Sequence, residues 1–323
     1  MLIAAHTPLS YLQAIVLGLL QGVTELFPIS SLGHSVLVPA LLGWHTLVKG
    51  QSAKESFYLA FVVGLHVATA VALLVFFWRD WIRIVKGGVS SLANRRIETP
   101  DERLAWLLVV VTIPVGLIGL ALEHSLRTIF AKPLAAALFL MLNGVILLAG
   151  ERLRRADQVR ALSTTNAGGA GDDPAAPPHR DANPGSRVMG RGPTRELATL
   201  SFVEAAIIGM FQSLALLAGI SRSGVTMVGG LVRGLNHEDA ARFSFLAATP
   251  IILAAGVYKV PDLAGPLGDG IRAQALVGSL SAGVAAYFAV KFLVRFFEDR
   301  TLVPFGIYCL VAGALCAIRF GLF

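Results

Sequence analysis

Two short polar, glycine-containing segments interrupt the apolar stretches of this chain, and one repeats the other. The first is Pro28-Ile29-Ser30-Ser31-Leu32-Gly33-His34 and the second Gly219-Ile220-Ser221-Arg222-Ser223-Gly224-Val225-Thr226. A shift of 191 residues lays Gly18 on Gly209, Gln21 on Gln212, Ile29 on Ile220, Ser30 on Ser221 and Gly33 on Gly224. Each segment ends an apolar run too abruptly for the helix to continue. Non-helical backbone at membrane depth is tolerable only where protein or water satisfies its amides and carbonyls. Two matching breaks with ionisable residues beside them predict one buried polar site built from two halves.

That this is a membrane chain follows from composition and from the length of its charge-free runs. Hydrophobic residues make up 55% and charged residues 15%, with a mean hydropathy of +0.70, outside the range of water-soluble domains. Six runs, about 57–78, 105–122, 134–150, 243–258, 274–290 and 302–318, approach the ~20 residues that cross ~30 Å of hydrocarbon. The remaining apolar stretches, about 10–43 and 201–234, read as helix-break-helix hairpins that dip into the membrane and return. The predicted fold is an all-α polytopic membrane protein. It comprises a first repeat (1–155), a linker (156–198) and a second repeat (199–323). Within the linker, 163–192 is rich in Gly, Ala, Pro, Asp and Arg and is expected to be disordered. No removable signal peptide is expected, and Cys309 and Cys316 are expected to stay reduced.

Basic residues crowd 79–104 and 151–198, two spans apart and hence on one side, which the positive-inside rule makes cytoplasmic. Both termini then lie outside. The first hairpin enters from the outer face and the second, three spans later, from the cytoplasm, so the repeat is inverted. The net charge of +7 is accounted for by these loops and needs no nucleic-acid partner.

Gln21 and Glu25 are four apart and share a helix face leading into the first break. A carboxylate in an apolar helix costs about 2.5–3.5 kcal/mol on insertion scales, so Glu25 is functional or paired, Arg222 being the obvious partner. Ser30 and Ser31 stand where a half-helix begins, with free N–H groups and a positive dipole end that favour an anion. His34 lies one turn past Ser31, placed either for packing or for proton transfer. At the second break Ser221, Arg222, Ser223 and Thr226 put hydroxyls and a guanidinium in the first turn of another half-helix. Gly219 and Gly224 admit close backbone approach. A planar guanidinium among hydroxyls suits phosphate oxygens, and two such helix starts face to face suggest a diphosphate clamp.

Glu25 to His34 together with Ala218 to Thr226 closely resembles the undecaprenyl-diphosphate phosphatase family of the bacitracin-resistance type. The likeness extends over nearly the whole chain outside 156–193, including Phe76-Phe77-Trp78-Arg79 and Phe243-Ser244-Phe245-Leu246. It implies an integral phosphatase of the bacterial plasma (inner) membrane, with its site open to the outer face. Such an enzyme removes the terminal phosphate of a polyprenyl diphosphate, recycles the carrier lipid for peptidoglycan synthesis and confers bacitracin resistance. By the same resemblance Glu25 is base or metal ligand, with Gln21 beside it. Ser31 is nucleophile or positions one, His34 donates a proton to the leaving phosphate, and Arg222 clamps transition-state charge. Gln21, Ser30, Ser221, Ser223, Gly224 and Thr226 join Arg222 in binding the diphosphate. A divalent cation, Mg²⁺ or Ca²⁺, is the expected cofactor, and a homodimer is left open.

The sequence departs from the family pattern at Gln21, where many relatives carry glutamate, at Ala218, where proline is usual, and at Leu32. His66 stands in mid-span where relatives carry Gln or His and is placed to line the cavity, whereas Pro114 and Pro250 are expected to kink their helices. Inverted repeats with opposed hairpins are also a transport architecture, so a lipid flippase using the same anion clamp is the competing expectation.

Overall fold

The computed structural model describes residues 8–44, 46–47, 57–130, 132–168 and 197–322, and these contain helices and no strand. Before the 169–196 segment lie α1 (Tyr11–Thr24), α2 (Ser31–Leu41), α3 (Phe57–Phe76), α4 (Trp78–Asn94), α5 (Pro100–Phe130) and α6 (Pro133–Gly168). After it lie α7 (Phe202–Gln212), α8 (Arg222–Val232), α9 (His237–Ala264), α10 (Arg272–Asp299) and α11 (Val303–Leu322). Six of these, α3, α5, α6, α9, α10 and α11, are long and apolar enough to cross a membrane. Their outward faces carry Leu120 at 72% and Val257 at 80% exposure, while Ala282 and Ala286 are fully buried. Large apolar groups outside and small ones between helices is the distribution a bilayer solvent selects.

The predicted breaks are present. α1 has 14 residues and α2 has 11, so each is about 15–20 Å long and falls short of the hydrocarbon thickness. α7 and α8, with 11 residues each, are separated by a 3-10 turn over Ser213–Leu216 and the glycine-containing second break. Matching start signals open both pairs. Ser10 caps α1 in a capping box with Gln13, and Ser201 caps α7 in a capping box with Glu204.

Helix pairing follows the same two-part pattern. α1 packs on α10 and α7 on α5, while α3 meets α9 and α6 meets α11. Glycines permit the first two contacts. A Cβ on Gly18 would stand 2.2 Å from the Gly278 carbonyl oxygen, and one on Gly209 would stand 2.4 Å from that of Val111. Pro114 and Pro250 lie inside α5 and α9.

Several boundaries differ from the sequence expectation, with α5 running on to Phe130 and α9 to Ala264. The span expected to run to Trp78 ends at Phe76, because Phe77 leaves helical geometry (φ −97°, ψ 25°) and Trp78 starts a separate helix. α6 continues to Gly168, into the segment expected as linker, since 151–168 contains neither proline nor an early glycine to stop it. Residues 169–196 of that linker lie outside the described residues.

Candidate functional site

The two breaks are in contact. Ser30 takes φ 71°, ψ 103° and caps α2, its Oγ accepting from the Gly33 N–H at 3.1 Å and from the Gly219 N–H of the other break at 3.2 Å. Gly219 itself has φ 121° and stands so close to α6 that a Cβ would lie 2.5 Å from the Ala136 oxygen, so no other residue fits there. Ser221 caps α8 in the same manner, accepting from the Gly224 N–H at 3.1 Å. Asn143 ties the two together. Its Nδ2 donates to the Pro28 carbonyl at 2.9 Å, and its Oδ1 accepts from the Ser221 N–H at 3.0 Å. Fully buried, this amide satisfies one freed backbone group from each break.

Donors converge on Glu25 from four elements. Oε2 accepts from the Ser31 hydroxyl at 2.5 Å and from Gln21 Nε2 at 3.1 Å, with His66 Nε2 at 3.2 Å. Oε1 accepts from Arg222 Nη2 at 2.8 Å. The carboxylate is 5% exposed and the guanidinium side chain 13%. The second guanidinium nitrogen, Arg222 Nη1, is buried and has no hydrogen-bond partner among the described residues. His66 Nδ1 faces the Val62 carbonyl at 2.8 Å, so both ring nitrogens meet acceptors, an arrangement that the doubly protonated ring satisfies. The cluster thus sets one carboxylate against a guanidinium and an imidazole, with a hydroxyl donating to the same carboxylate.

Of the residues singled out in the sequence, Gln21, Glu25, Ser31 and Arg222 meet directly. Ser30, Ser221 and Gly224 form the frame behind them. Ser223 Oγ lies 3.0 Å from Ser221 Oγ and donates to the Phe27 carbonyl at 3.4 Å, again linking the two breaks. Thr226 turns its hydroxyl to the Arg222 carbonyl at 2.8 Å, within its own helix. His34 is not hydrogen-bonded to Ser31 or Glu25. Its Nδ1 faces the Ser30 carbonyl at 2.7 Å, which leaves Nε2 to accept from the Tyr308 hydroxyl at 2.8 Å in the neutral ring. The pairing of Glu25 with Arg222, which the sequence left as an alternative to chemistry, is present and leaves Ser31 on the other oxygen.

His66 enters the cluster as a direct partner of the Glu25 carboxylate rather than as mere lining, and Asn143 and Tyr308 were not singled out in the sequence. Asn143 had a signal, being an amide in the middle of an otherwise apolar span. Tyr308 had none, since tyrosine near a membrane interface is ordinary.

Glu25 and Gln21 do not fit a resident divalent cation in this arrangement. Both Glu25 oxygens already meet donors, one of them the Arg222 guanidinium, and Gln21 presents its N–H group to the carboxylate. Mg²⁺ or Ca²⁺ needs about six oxygen ligands. Among the described residues, no third His, Cys, Asp or Glu joins Glu25 and His66 in a metal-holding group.

The sequence model described as "Bacitracin resistance protein BacA" matches residues 14–315. The chain is 59% identical to "Undecaprenyl-diphosphatase 2" of Frankia alni, over 97% of this chain and 99% of the relative. It is 60% identical to "Undecaprenyl-diphosphatase" of Mycolicibacterium paratuberculosis and likewise of Mycobacterium avium, each over 94% of this chain and 95% of the relative. Two facing helix breaks joined through Glu25, Ser31 and Arg222, and a likeness to these proteins spanning almost the full length, place this chain in the bacitracin resistance protein BacA family.

Proposed function

We propose that this protein hydrolyses undecaprenyl diphosphate to undecaprenyl phosphate and inorganic phosphate inside the bacterial cell membrane. That reaction recycles the carrier lipid for peptidoglycan synthesis and gives resistance to bacitracin. The observation that carries the reading is the short Ser31–Glu25 hydrogen bond beside Arg222. Either Ser31 Oγ attacks the terminal phosphorus, Glu25 Oε2 taking its proton, and a water then cleaves the Ser31 O–P bond to release inorganic phosphate, or Ser31 orients a water that attacks directly and gives its proton to Glu25 Oε2. The anhydride oxygen leaves on undecaprenyl phosphate. Arg222 Nη1, buried and unpartnered, has hydrogen-bond capacity for a diphosphate oxygen, and the first-turn amides of α2 and α8 add to it. His34 supplies the proton to the leaving group. The Tyr308 hydroxyl can turn from donor to acceptor, so the ring can carry a proton at Nε2 without losing its partner.

On this reading α1–α2 and α7–α8 are re-entrant hairpins of an inverted repeat. Support comes from the paired contacts of α1 with α10 and α7 with α5, and from the reciprocal approach of the breaks. Gly33 faces Gly219, and Gly224 faces Pro28, which is the residue 191 positions before Gly219. On the same reading the linker is cytoplasmic and both termini lie outside, as the basic 79–104 and 151–198 segments favour, and the site opens to the outer face, as the family resemblance implies. A divalent cation would arrive on the diphosphate oxygens rather than sit between Gln21 and Glu25. Chelation would then lower phosphate release and leave the melting temperature of the lipid-free protein unchanged.

The test is phosphate release from undecaprenyl diphosphate by the purified protein and by its Ser31→Ala and Arg222→Ala variants. Release by the wild type, lost in both variants, is the expected result. A folded wild type that binds the lipid diphosphate and releases nothing would overturn it in favour of a lipid carrier, which the paired hairpins also suit.

A further inference from the structure

α4 has no counterpart in the second repeat and no place in the chemistry above. It begins immediately after the α3 span ends and stops shortly before α5 begins, so both its ends sit at one membrane boundary. It is short of a span and divides into three faces. One face carries Trp78, Ile82, Val85, Val89 and Leu92, between 45% and 63% exposed, at the alternating four- and three-residue spacing of a single helical stripe. A second face, holding Ile84 and Ser91, is buried against the start of α5. There a Cβ on Gly87 would stand 2.8 Å from the Glu102 nitrogen, and Trp106 Nε1 donates to Ser91 Oγ at 2.8 Å. The third face carries Arg79, Arg83 and Lys86, all exposed, within one stripe a third of a turn round from the apolar one.

The charge on that third face is not balanced. The one carboxylate of the helix, Asp80, is shared between Arg83 and Arg242 of α9, the latter at 2.6 Å. Arg79 lies 5.2 Å above the Trp78 ring, bridging the apolar and basic stripes. One stripe on protein, one apolar and open, and one cationic is the arrangement of a helix lying in the plane of a bilayer surface.

We infer that α4 is an interfacial anchor whose Arg79, Arg83 and Lys86 bind the phosphate headgroups of anionic glycerophospholipids, with Trp78, Ile82, Val85, Val89 and Leu92 set among their acyl chains. The occupant is the bilayer's own anionic lipid, since the cations stand beside an apolar stripe continuous with the α3 span. The inference rests on neither the hydrolytic reading nor the assignment of sides.

The experiment compares retention of phosphatidylglycerol and phosphatidylcholine of matched chains on the full-length protein by native mass spectrometry. The wild type should hold phosphatidylglycerol at least fivefold more readily, and an Arg79→Gln/Arg83→Gln/Lys86→Gln variant should show less than twofold preference. No preference in the wild type, or full preference in the variant, overturns the inference. Spin labels at positions 85 and 86 of a Cys316→Ser chain in phosphatidylglycerol-containing nanodiscs serve even if the triple variant does not fold. Position 85 should be open to oxygen and shielded from an aqueous relaxant, with the reverse at 86. Equal exposure of both to the aqueous relaxant would place α4 in water and sink the proposal.

Discussion

Replacing Glu25 by glutamine keeps shape and removes charge, which makes it the sharpest probe of the cluster. The two carboxylate oxygens accept from Arg222 on one side and from Ser31 and Gln21 on the other, where His66 also lies. A glutamine has one acceptor oxygen and one NH₂, so in either orientation an N–H is turned toward a donor. With its oxygen toward Ser31, Arg222 loses its partner at Nη2, Nη1 having none already, and a guanidinium only 13% exposed is left with no anion. Removing one member of a buried ion pair costs about 3–5 kcal/mol. Removing both members should cost much less, because no buried charge is then stranded. We therefore expect Glu25→Gln to lower unfolding free energy in mixed micelles by about 3–5 kcal/mol, and Glu25→Gln/Arg222→Met to recover roughly 2–3 kcal/mol of that. Phosphate release should fall about 10³-fold or more in the single and the double variant alike, since restored packing does not restore a base or a clamp. A coupling energy below about 0.5 kcal/mol in the double-mutant cycle would refute the reasoning. It would mean that Glu25 and Arg222 do not hold each other in the resting protein.

Ser30→Ala should destabilise by about 1–3 kcal/mol, because two buried N–H groups lose their acceptor. Ser30→Gly should cost less in the same melting experiment, since glycine accepts φ 71° without strain. Gly18→Ala and Gly209→Ala should each cost about 1–3 kcal/mol by forcing α1 from α10 or α7 from α5. Equal melting temperatures to wild type would deny the close helix approach. Tyr308→Phe should slow phosphate release about tenfold, with KM for the lipid diphosphate unchanged, by freeing the His34 ring. A change confined to KM would instead place Tyr308 in substrate binding.

Sequence patterning made the six spans, the two breaks and the Glu25–Ser31–Arg222 grouping legible, because each depends on the cost of polar groups in an apolar run. The breaks advertise themselves through hydroxyl and glycine residues at helix starts. What escaped depends on which side chains meet across elements distant in the chain. Asn143 stands 115 residues from Pro28, and Tyr308 stands 274 from His34, so no local period connects them. The end of α3 escaped for a different reason. Phe76, Phe77 and Trp78 are all apolar, and a change of helix direction between apolar residues leaves no mark on a hydropathy profile. α6 ran beyond expectation because a charged stretch rich in arginine, with no proline, is as good a helix former as it is a linker.

The two halves match under the 191-residue shift in their helix caps but not in the polar residues of the proposed site. The 191-residue shift lays the helix-capping residues of one half on those of the other. Ser10 and Gln13 cap α1 as Ser201 and Glu204 cap α7, and Ser30 receives the Gly33 N–H as Ser221 receives that of Gly224. The same shift sets Glu25 on Leu216, Ser31 on Arg222 and His34 on Val225. One half therefore brings the carboxylate, the hydroxyl and the imidazole, and the other brings the cation. Two identical halves would put like charges face to face at the meeting point of the breaks, an arrangement that burial makes costly. Dividing the roles turns that repulsion into the Glu25–Arg222 contact and leaves Ser31 free to donate to the other oxygen. Moving the arginine to the first half, by Ser31→Arg with Arg222→Ser, should therefore abolish activity. It should lower stability less than Arg222→Ser alone, because Glu25 keeps a counter-ion six residues along its own hairpin. Equal or greater loss of stability in the exchanged protein would show that the half-helix starts are not interchangeable frames.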